Sequence, residues 1–461
     1  MTTAAKGFSY ECLEGFSLPR PEGWEQVEMK SGMLAVAHPP LPAGVFRPNM
    51  VLRWHPANGV SVARYATAAL ASTLEGLRDR RIISNDVWSP PDPAAAGSGR
   101  AQRLFHLAGR HPVCVDRWIW TASGFAVEAT ASYTAEQHTG MKLLFEQMVR
   151  DIRIDEPVRA AYGNQRAETD QPDIGRIAPQ EPRLDDDACR WAGAELEDLS
   201  SIAAAQPYRE AGKLLPIPAL ELLDTLLGRD RLGRFQRKDP SAATLQAAGL
   251  LTDGAGLTPE GERFLWPVRN LDASFRVIAV NAARGSVLQA WIGGGLARIT
   301  AELSLFAAAP APAYGPDDLS AAVVPANMVP ERIAGWAGLS PGWSLPHEPV
   351  VLSMDSYEAR LKSGRTPAPP HLDQAAGRMW RQPWTEWQIL DEGTGGRFGW
   401  VNAGSAGQYR LFVGRGDRTE TDAVLLEPMS PAVAWDILVR FIHASVEGIP
   451  LRLPEVPGFN G

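Results

Sequence analysis

The chain has 461 residues and a formal net charge of −8, and its composition excludes several classes of protein. This length predicts two or three domains. A hydrophobic content of 45% is enough to bury their cores, and 21% of charged residues is typical of a globular protein. The sequence has no run of about 18 apolar residues, which argues against a membrane-spanning helix and membrane insertion. Its first twenty residues have no long apolar stretch of the kind found in secretory signals, so we expect a cytoplasmic protein.

The negative charge is concentrated in one segment. Residues 155–200 contain 12 Asp and Glu against 5 Arg. Because low hydrophobicity and an acid excess oppose folding, residues 155–187 are predicted to form an acidic, Pro-containing linker. An acidic recognition segment is the alternative. With no broad basic excess elsewhere, the balance of charge argues against nucleic acid as a partner.

Residues 8–154 show the pattern of an α+β domain. Alternating apolar residues predict short strands, and two stretches with helical spacing follow them. The second helix opens at residues 134–137 with the Thr-x-x-Gln form of a capping box. We predict an antiparallel sheet packed on two helices. The predicted strands are 24–29, 33–37, 50–54, 101–108, 113–120 and 125–132, and the apolar stripes of the two helices begin at Val62 and Met141.

Two short motifs in this domain carry a family resemblance. The sequence Pro-Glu-Gly-Trp at 21–24 and the sequence Phe-Arg-Pro-Asn-Met-Val at 46–51, before the first long helix, resemble the Mog1/PsbP-like fold. The nearest branch is the LpqN/DcrB-like group. The resemblance implies a non-enzymatic binding module, and some DcrB-like members are chaperones for secreted effectors. An alternative function therefore stays open, namely a small-ligand or envelope-stress binding module in residues 8–154.

Residues 188–450 contain two related halves, each with helices and a strand meander. In the first half, Thr258 followed by Pro259 predicts a capped helix. The remaining elements are predicted from periodicity and turn residues. We therefore expect a quasi-two-fold α+β domain with two antiparallel sheets. The helices are 216–227, 241–251, 354–362 and 372–380 and one after Pro431, and the strands are 275–280, 287–292, 296–306, 385–390, 397–402, 407–413 and 422–427.

Four short motifs, in this order, resemble the EspG family of type VII (ESX) secretion in actinobacteria. They lie at residues 248–254, 396–400, 407–410 and 428–430. The resemblance implies a cytoplasmic, non-enzymatic chaperone that binds helical export substrates. The partner implied is a small secreted helical protein or heterodimer of the PE/PPE or WXG type.

Several aromatic and apolar residues are candidates for partner binding. Val287, Gln289 and Trp291 share one face of a predicted strand, so they either contact a partner or pack in the core. A second group, of four tryptophans, is predicted to pack in the core, and the alternative is that it forms an interface with a partner. This group consists of Trp380, Trp384, Trp387 and Trp400.

No catalytic, cofactor-binding or metal-binding residue is predicted. Ser340 lies in a Gly-x-Ser-x-Gly sequence, but Pro341 lacks the backbone N–H that such a nucleophile elbow uses. His106 and His111 do not have the spacing of a zinc pair. Residues 229–238 carry five basic residues. They either form a solvated loop between helices, or bind an acidic partner or the acidic linker of the same chain.

Overall fold

The computed structural model describes two compact units within this chain. The first comprises Met1–Gln206 with the short segments Ser340–Leu345 and Ser430–Ala432, and the second contains the remaining residues. The predicted linker lies outside the described residues from position 156 onward. The described residues are 7–29, 32–76, 80–91, 95, 97–109, 111–155, 202–203, 206–209, 212–307, 315, 317–342, 348–364, 366–415 and 422–451.

The first unit contains a seven-stranded and a three-stranded antiparallel sheet. The larger sheet has the order β3-β4-β5-β9-β8-β7-β6, and the smaller has the order β1-β2-β10. Its strands are β1 (Phe8–Leu13), β2 (Phe16–Pro21), β3 (Glu25–Val27), β4 (Met33–Ala37), β5 (Asn49–Pro56), β6 (Arg81–Trp88), β7 (Gly99–Ala108), β8 (His111–Ala122), β9 (Phe125–Thr134) and β10 (Arg153–Ile154), and its helices are α1 (Val62–Gly76) and α2 (His138–Arg150).

Both predicted helices of this unit are confirmed. Helix α2 buries an apolar stripe that includes Phe145, whose ring stacks on Tyr133 at a centroid distance of 5.8 Å. Gln137 Oε1 accepts the N–H of Thr134 at 2.9 Å, which is one half of the predicted capping box. The three-stranded sheet and strand β6 are additions to the predicted fold. Strand β6 has a register shift between Ile82 and Ser84, which interrupts the alternation expected of a strand.

The second unit is built on a single ten-stranded sheet in which all the strand pairs are antiparallel. The strand order is β11-β15-β14-β13-β12-β17-β18-β19-β20-β16. The strands are β11 (Lys213–Pro216), β12 (Leu271–Asn281), β13 (Gly285–Gly293), β14 (Leu296–Ala301), β15 (Asp318–Pro325), β16 (Val350–Ser353), β17 (Thr385–Asp391), β18 (Arg397–Asn402), β19 (Gln408–Arg415) and β20 (Asp422–Met429). The helices are α3 (Ile217–Asp224), α4 (Pro240–Ala247), α5 (Pro259–Arg269), α6 (Val329–Trp336), α7 (Met354–Lys362), α8 (Gln374–Arg381) and α9 (Pro431–Val446).

The prediction of two separate sheets in this region is wrong. Strand β12 pairs with β17, from Phe275 opposite Asp391 to Asn281 opposite Thr385, and this pairing joins the two meanders. An unpaired strand edge exposes backbone donors and acceptors. Because β12 and β17 are the first strands of their meanders, their pairing provides hydrogen-bond partners for both edges at once. Each half nevertheless has the same order of elements: a strand, helices, a four-stranded meander and a helix.

Local signals explain where the helices of the second unit begin. The hydroxyl of Thr258 accepts the N–H of Gly261 at 3.0 Å, and Pro259 follows as the first residue of α5, as predicted. Helix α7 has the predicted bounds, and the hydroxyl of Ser353 caps it. Among the described residues, no helix combines the length and apolar character that a membrane crossing requires.

Candidate functional site

One face of the ten-stranded sheet is buried at its centre. Alternate residues of β13 on this face, Leu288, Ala290 and Ile292, are almost inaccessible to solvent. The ring of Phe441 from α9 packs on Phe275 of β12 at a centroid distance of 6.0 Å. This face therefore belongs to the hydrophobic core.

Among the residues that the structure describes, helices cover the opposite face at its two flanks. On the first flank, apolar residues of α3, α4 and α5 cluster with Leu215 of β11 and Ala321 of β15. On the second flank, Tyr357 of α7 and Trp380 of α8 cluster with strand residues that include Tyr409. Both groups of helices follow the first strand of their half, which is why they occupy equivalent flanks.

Between these flanks lies a partly open surface on β12, β13 and β17, which we name the central strip. Its most exposed apolar side chains are Ile278, at 41%, and Leu390, at 38%. Apolar side chains at the middle of a sheet are usually buried. Exposed ones there are typical of a surface that binds a partner. The strip consists of Arg276, Ile278, Val287, Gln289, Trp291, Gln388 and Leu390.

The strand register brings these side chains together in two rows across the sheet. Directly paired residues of antiparallel strands project on the same face, about 5 Å apart. The first row is Val287, Ile278 and Gln388, and the second row is Gln289, Arg276 and Leu390. Apolar, amide and guanidinium groups thus alternate over a continuous surface.

Trp291 borders the strip and is held by a buried arginine. The Arg298 guanidinium lies 5.0 Å from the Trp291 ring centroid and 5.1 Å from that of Phe264 in α5. Arg298 is 2% exposed and pairs with both carboxylate oxygens of Asp224 at the end of α3. Stacking against the guanidinium restrains the position of the indole. Trp291 therefore forms a fixed border of the strip.

Polar groups at the two ends of the strip are engaged with each other. Arg276 and Glu392 form a partly exposed ion pair at 3.2 Å. At the opposite end, the hydroxyl of Tyr357 donates to Glu386 at 2.5 Å. Burial of Tyr357 and the nearby Glu386 carboxylate raise the pKa of the phenol, so it stays protonated at neutral pH. These groups form a polar rim around apolar side chains.

The structure places Val287, Gln289 and Trp291 on the half-buried, open face of β13. It brings them together with four residues that sequence reasoning missed, Arg276, Ile278, Gln388 and Leu390. Arg276 and Ile278 follow from the pairing of β12 with β13 within the predicted first meander, whereas Gln388 and Leu390 depend on the pairing of β12 with β17, which was not expected. The interpretation of the second aromatic group as core is confirmed, since Trp380, Trp384, Trp387 and Trp400 are all buried.

In the first unit, a polar network lies between helix α1 and the seven-stranded sheet. Gln102 donates to the carbonyl of Ala66 at 2.7 Å, and Arg117 donates to the carbonyl of Ala69 at 3.3 Å. Glu128 accepts from Arg53 at 2.6 Å and lies 3.5 Å from Arg117. Burial raises the pKa of Glu128, but the guanidiniums of Arg117 and Arg53 outweigh it and hold that pKa below 4.5. Gln102 and Arg117 therefore join α1 to β7 and β8, and Glu128 and Arg53 extend the network to β9 and β5.

The two histidines whose spacing argued against a zinc pair, His106 and His111, lie on the hairpin formed by β7 and β8. His106 pairs in register with Val113, and His111 pairs with Ala108. Burial lowers the pKa of His106, which favours its neutral form. Over the described part of the chain, no group of three or more His, Cys, Asp or Glu side chains is arranged to hold a metal ion.

No protein-family model and no curated protein matches the sequence. Cyanobacterial PsbP (CyanoP) from Synechocystis is a similar solved structure, 12% identical, covering 33% of this chain and 95% of CyanoP, with a TM-score of 0.26. LpqN, involved in cell envelope biogenesis of Mycobacterium tuberculosis, is 13% identical, covering 30% of this chain and 83% of LpqN, with a TM-score of 0.21. A Pseudomonas aeruginosa protein is 10% identical, covering 31% of this chain and 94% of that protein, with a TM-score of 0.24.

A PsbP-like protein and LpqN are therefore among the structures that this chain resembles, at low identity and low TM-score. These likenesses say nothing about its function. The resemblance of the second unit to EspG stays a prediction.

Proposed function

We propose that this protein is a non-enzymatic chaperone or adaptor, and that the central strip binds an amphipathic helix of an export substrate. The observation that carries the proposal is the open middle of a sheet face whose flanks are covered by helices. The substrate implied by the sequence resemblance is a small secreted helical protein or heterodimer of the PE/PPE or WXG type. We place this activity in the cytoplasm, before export.

The dimensions of the strip suit a helix. Adjacent strands lie about 4.8 Å apart, so the three strands of the strip, β13, β12 and β17, span about 10 Å between their axes. A helix with its side chains is about 10–12 Å in diameter. An amphipathic helix would thus place its apolar residues over Ile278 and Leu390, between the two helical flanks.

The composition of the strip also suits a protein partner. Interfaces are enriched in aromatic residues and arginine and have a polar rim around an apolar centre. Trp291 and Arg276 supply the first two features, and the Arg276–Glu392 and Tyr357–Glu386 pairs supply the third. A secreted helical bundle exposes an apolar tip before assembly, and the strip would shield it from aggregation.

The test is the affinity of the full-length protein for a purified PE/PPE or WXG-type helical pair, measured by calorimetry. We expect Ile278→Glu together with Leu390→Glu to weaken binding at least ~30-fold, because each buries an unpaired charge at the centre of the interface. The matched control is Leu143→Glu with Val351→Glu, at two apolar residues exposed outside the strip. Equal affinities for the two double variants, or no binding of any such pair by the unmodified chain, would refute the proposal.

A further inference from the structure

The loop between α3 and α4, residues 229–238, presents a concentrated positive charge; we name it the basic loop. Its cations are exposed, and none of them forms a salt bridge within the described part of the chain. The two nearby carboxylates have other partners. Asp230 lies 3.7 Å from Arg269 of α5, and Asp239 accepts the N–H of Ser241 as the cap of α4. The cations are Arg229, Arg231, Arg234, Arg237 and Lys238.

The basic loop is anchored, so the exposure of its aromatic residue is a fixed feature. Leu232 is buried among the helices of the first flank. Its N–H donates to Ala255 at 3.0 Å, and its carbonyl accepts from Arg237 at 3.1 Å. Three residues after this anchor, Phe235 is 89% exposed. The loop thus holds a phenylalanine in solvent with cations on both sides of it in sequence.

We propose that the basic loop docks on an anionic phospholipid surface, with Phe235 entering the headgroup layer and the surrounding cations contacting lipid phosphates. A projecting aromatic side chain needs a pocket on a folded partner, whereas a lipid interface receives it without a complementary shape. Aromatic residues and Lys or Arg are the side chains that hold peripheral proteins at membrane interfaces. This docking goes beyond the proposed function and does not involve the central strip.

The charge distribution of the chain gives the docking an orientation. Residues 229–239 contain five cations and two carboxylates, a net charge of +3, whereas the whole chain carries −8. The remaining residues therefore carry −11 and are repelled by an anionic membrane. Because like charges repel and opposite charges attract over about 10 Å at moderate salt, the basic loop faces the membrane surface.

The test is co-sedimentation of the full-length protein with vesicles of phosphatidylglycerol and phosphatidylcholine, compared with vesicles of phosphatidylcholine alone. We expect binding to the anionic vesicles only, and loss of that binding at about 1 M salt, where the Debye length is about 3 Å. Replacing Arg231, Arg234 and Lys238 by Gln should weaken binding ~100-fold, at about fivefold for each cation. Phe235→Ala should also weaken binding, and Phe235→Trp should preserve it.

The matched control replaces three exposed arginines elsewhere, Arg64, Arg263 and Arg381, by Gln and so removes the same charge. Thermal unfolding of every variant identifies any loss that comes from misfolding. The proposal is overturned if the anionic vesicles bind no protein, or if the loop and control variants bind equally. It is also overturned if Phe235→Ala leaves vesicle binding unchanged while the loop cations are required for binding to heparin. That last result would assign the loop to soluble polyanions.

Discussion

Removing Asp224 tests whether the Arg298 pair supports the border of the central strip. Arg298 is 2% exposed, whereas the side chain of Asp224 is 39% exposed, so the two partners differ in how much solvation they have lost. Removing one partner of a buried pair costs about 3–5 kcal/mol, because the other charge is left buried. Water reaches Asp224 and screens the interaction, so we expect Asp224→Ala to lower the free energy of unfolding by about 2–3 kcal/mol.

The reciprocal change should cost less. Arg298→Met removes the buried charge itself, keeps an apolar chain between Trp291 and Phe264, and leaves Asp224 to be hydrated. We expect a loss of about 1 kcal/mol, mainly from the two cation–π contacts. Adding Asp224→Ala to Arg298→Met should then have almost no further effect, since no buried charge remains to be left unpaired.

The assay is urea unfolding of the full-length chain followed by far-ultraviolet circular dichroism. Each transition is fitted separately, because a chain with two units need not unfold in one step. Glu392→Ala is the control, since the Arg276–Glu392 pair is partly exposed and should contribute about 0–1 kcal/mol. If Arg298→Met costs as much as Asp224→Ala, the asymmetric burial of this pair does not determine its energetics and the reasoning fails.

Two further predictions concern the cores. Glu128→Gln should destabilise the chain near pH 7. Because the folded-state pKa of Glu128 is lowered, the difference in stability between the unmodified chain and the variant should shrink as the pH falls from 4.5 through that lower pKa. If the urea midpoints of the two proteins differ by the same amount at about pH 7 and about pH 3, the lowered pKa of Glu128 is contradicted. Gly338 and Gly395 have φ of +73° and +71°, but only at Gly338 would a Cβ meet the Phe306 ring, at 2.5 Å. Gly395→Ala should therefore cost about 1 kcal/mol and Gly338→Ala about 3 kcal/mol in thermal unfolding, and equal losses would argue against this steric contact.

Local signals in the sequence are sufficient for many elements of the second unit. The Thr258 cap, the bounds of α7 and the four strands of the second meander follow from hydrogen-bonding side chains, periodicity and turn residues close by in the chain. Strand β6 was missed because Ser84, Asn85 and Asp86 interrupt its apolar pattern next to a bulge. Alternation describes which face a residue occupies, and it fails where the register shifts.

The joining of the two meanders could not be predicted from the same signals. Strands β12 and β17 are far apart in sequence, and their pairing depends on backbone groups that are the same in every residue. The alternation of β13 predicted that Val287, Gln289 and Trp291 share a face. The β12–β13 hairpin places Ile278 beside Val287, but Leu390 could not be identified as a neighbour, because that requires the β12–β17 register.

The central strip is asymmetric although the two halves that form it have the same order of elements. On the β13 side, Trp291 rests on Arg298 and forms a firm aromatic border. On the β18 side, Gly399, which has no side chain, lies opposite Gln388, and the exposed Arg397 lies opposite Leu390. In the proposed complex, a bound helix would pack larger side chains against the indole and would approach the β18 backbone most closely at Gly399. If the strip binds a helix as proposed, these unequal borders would favour one orientation of that helix, whereas equal borders would accept it in either direction.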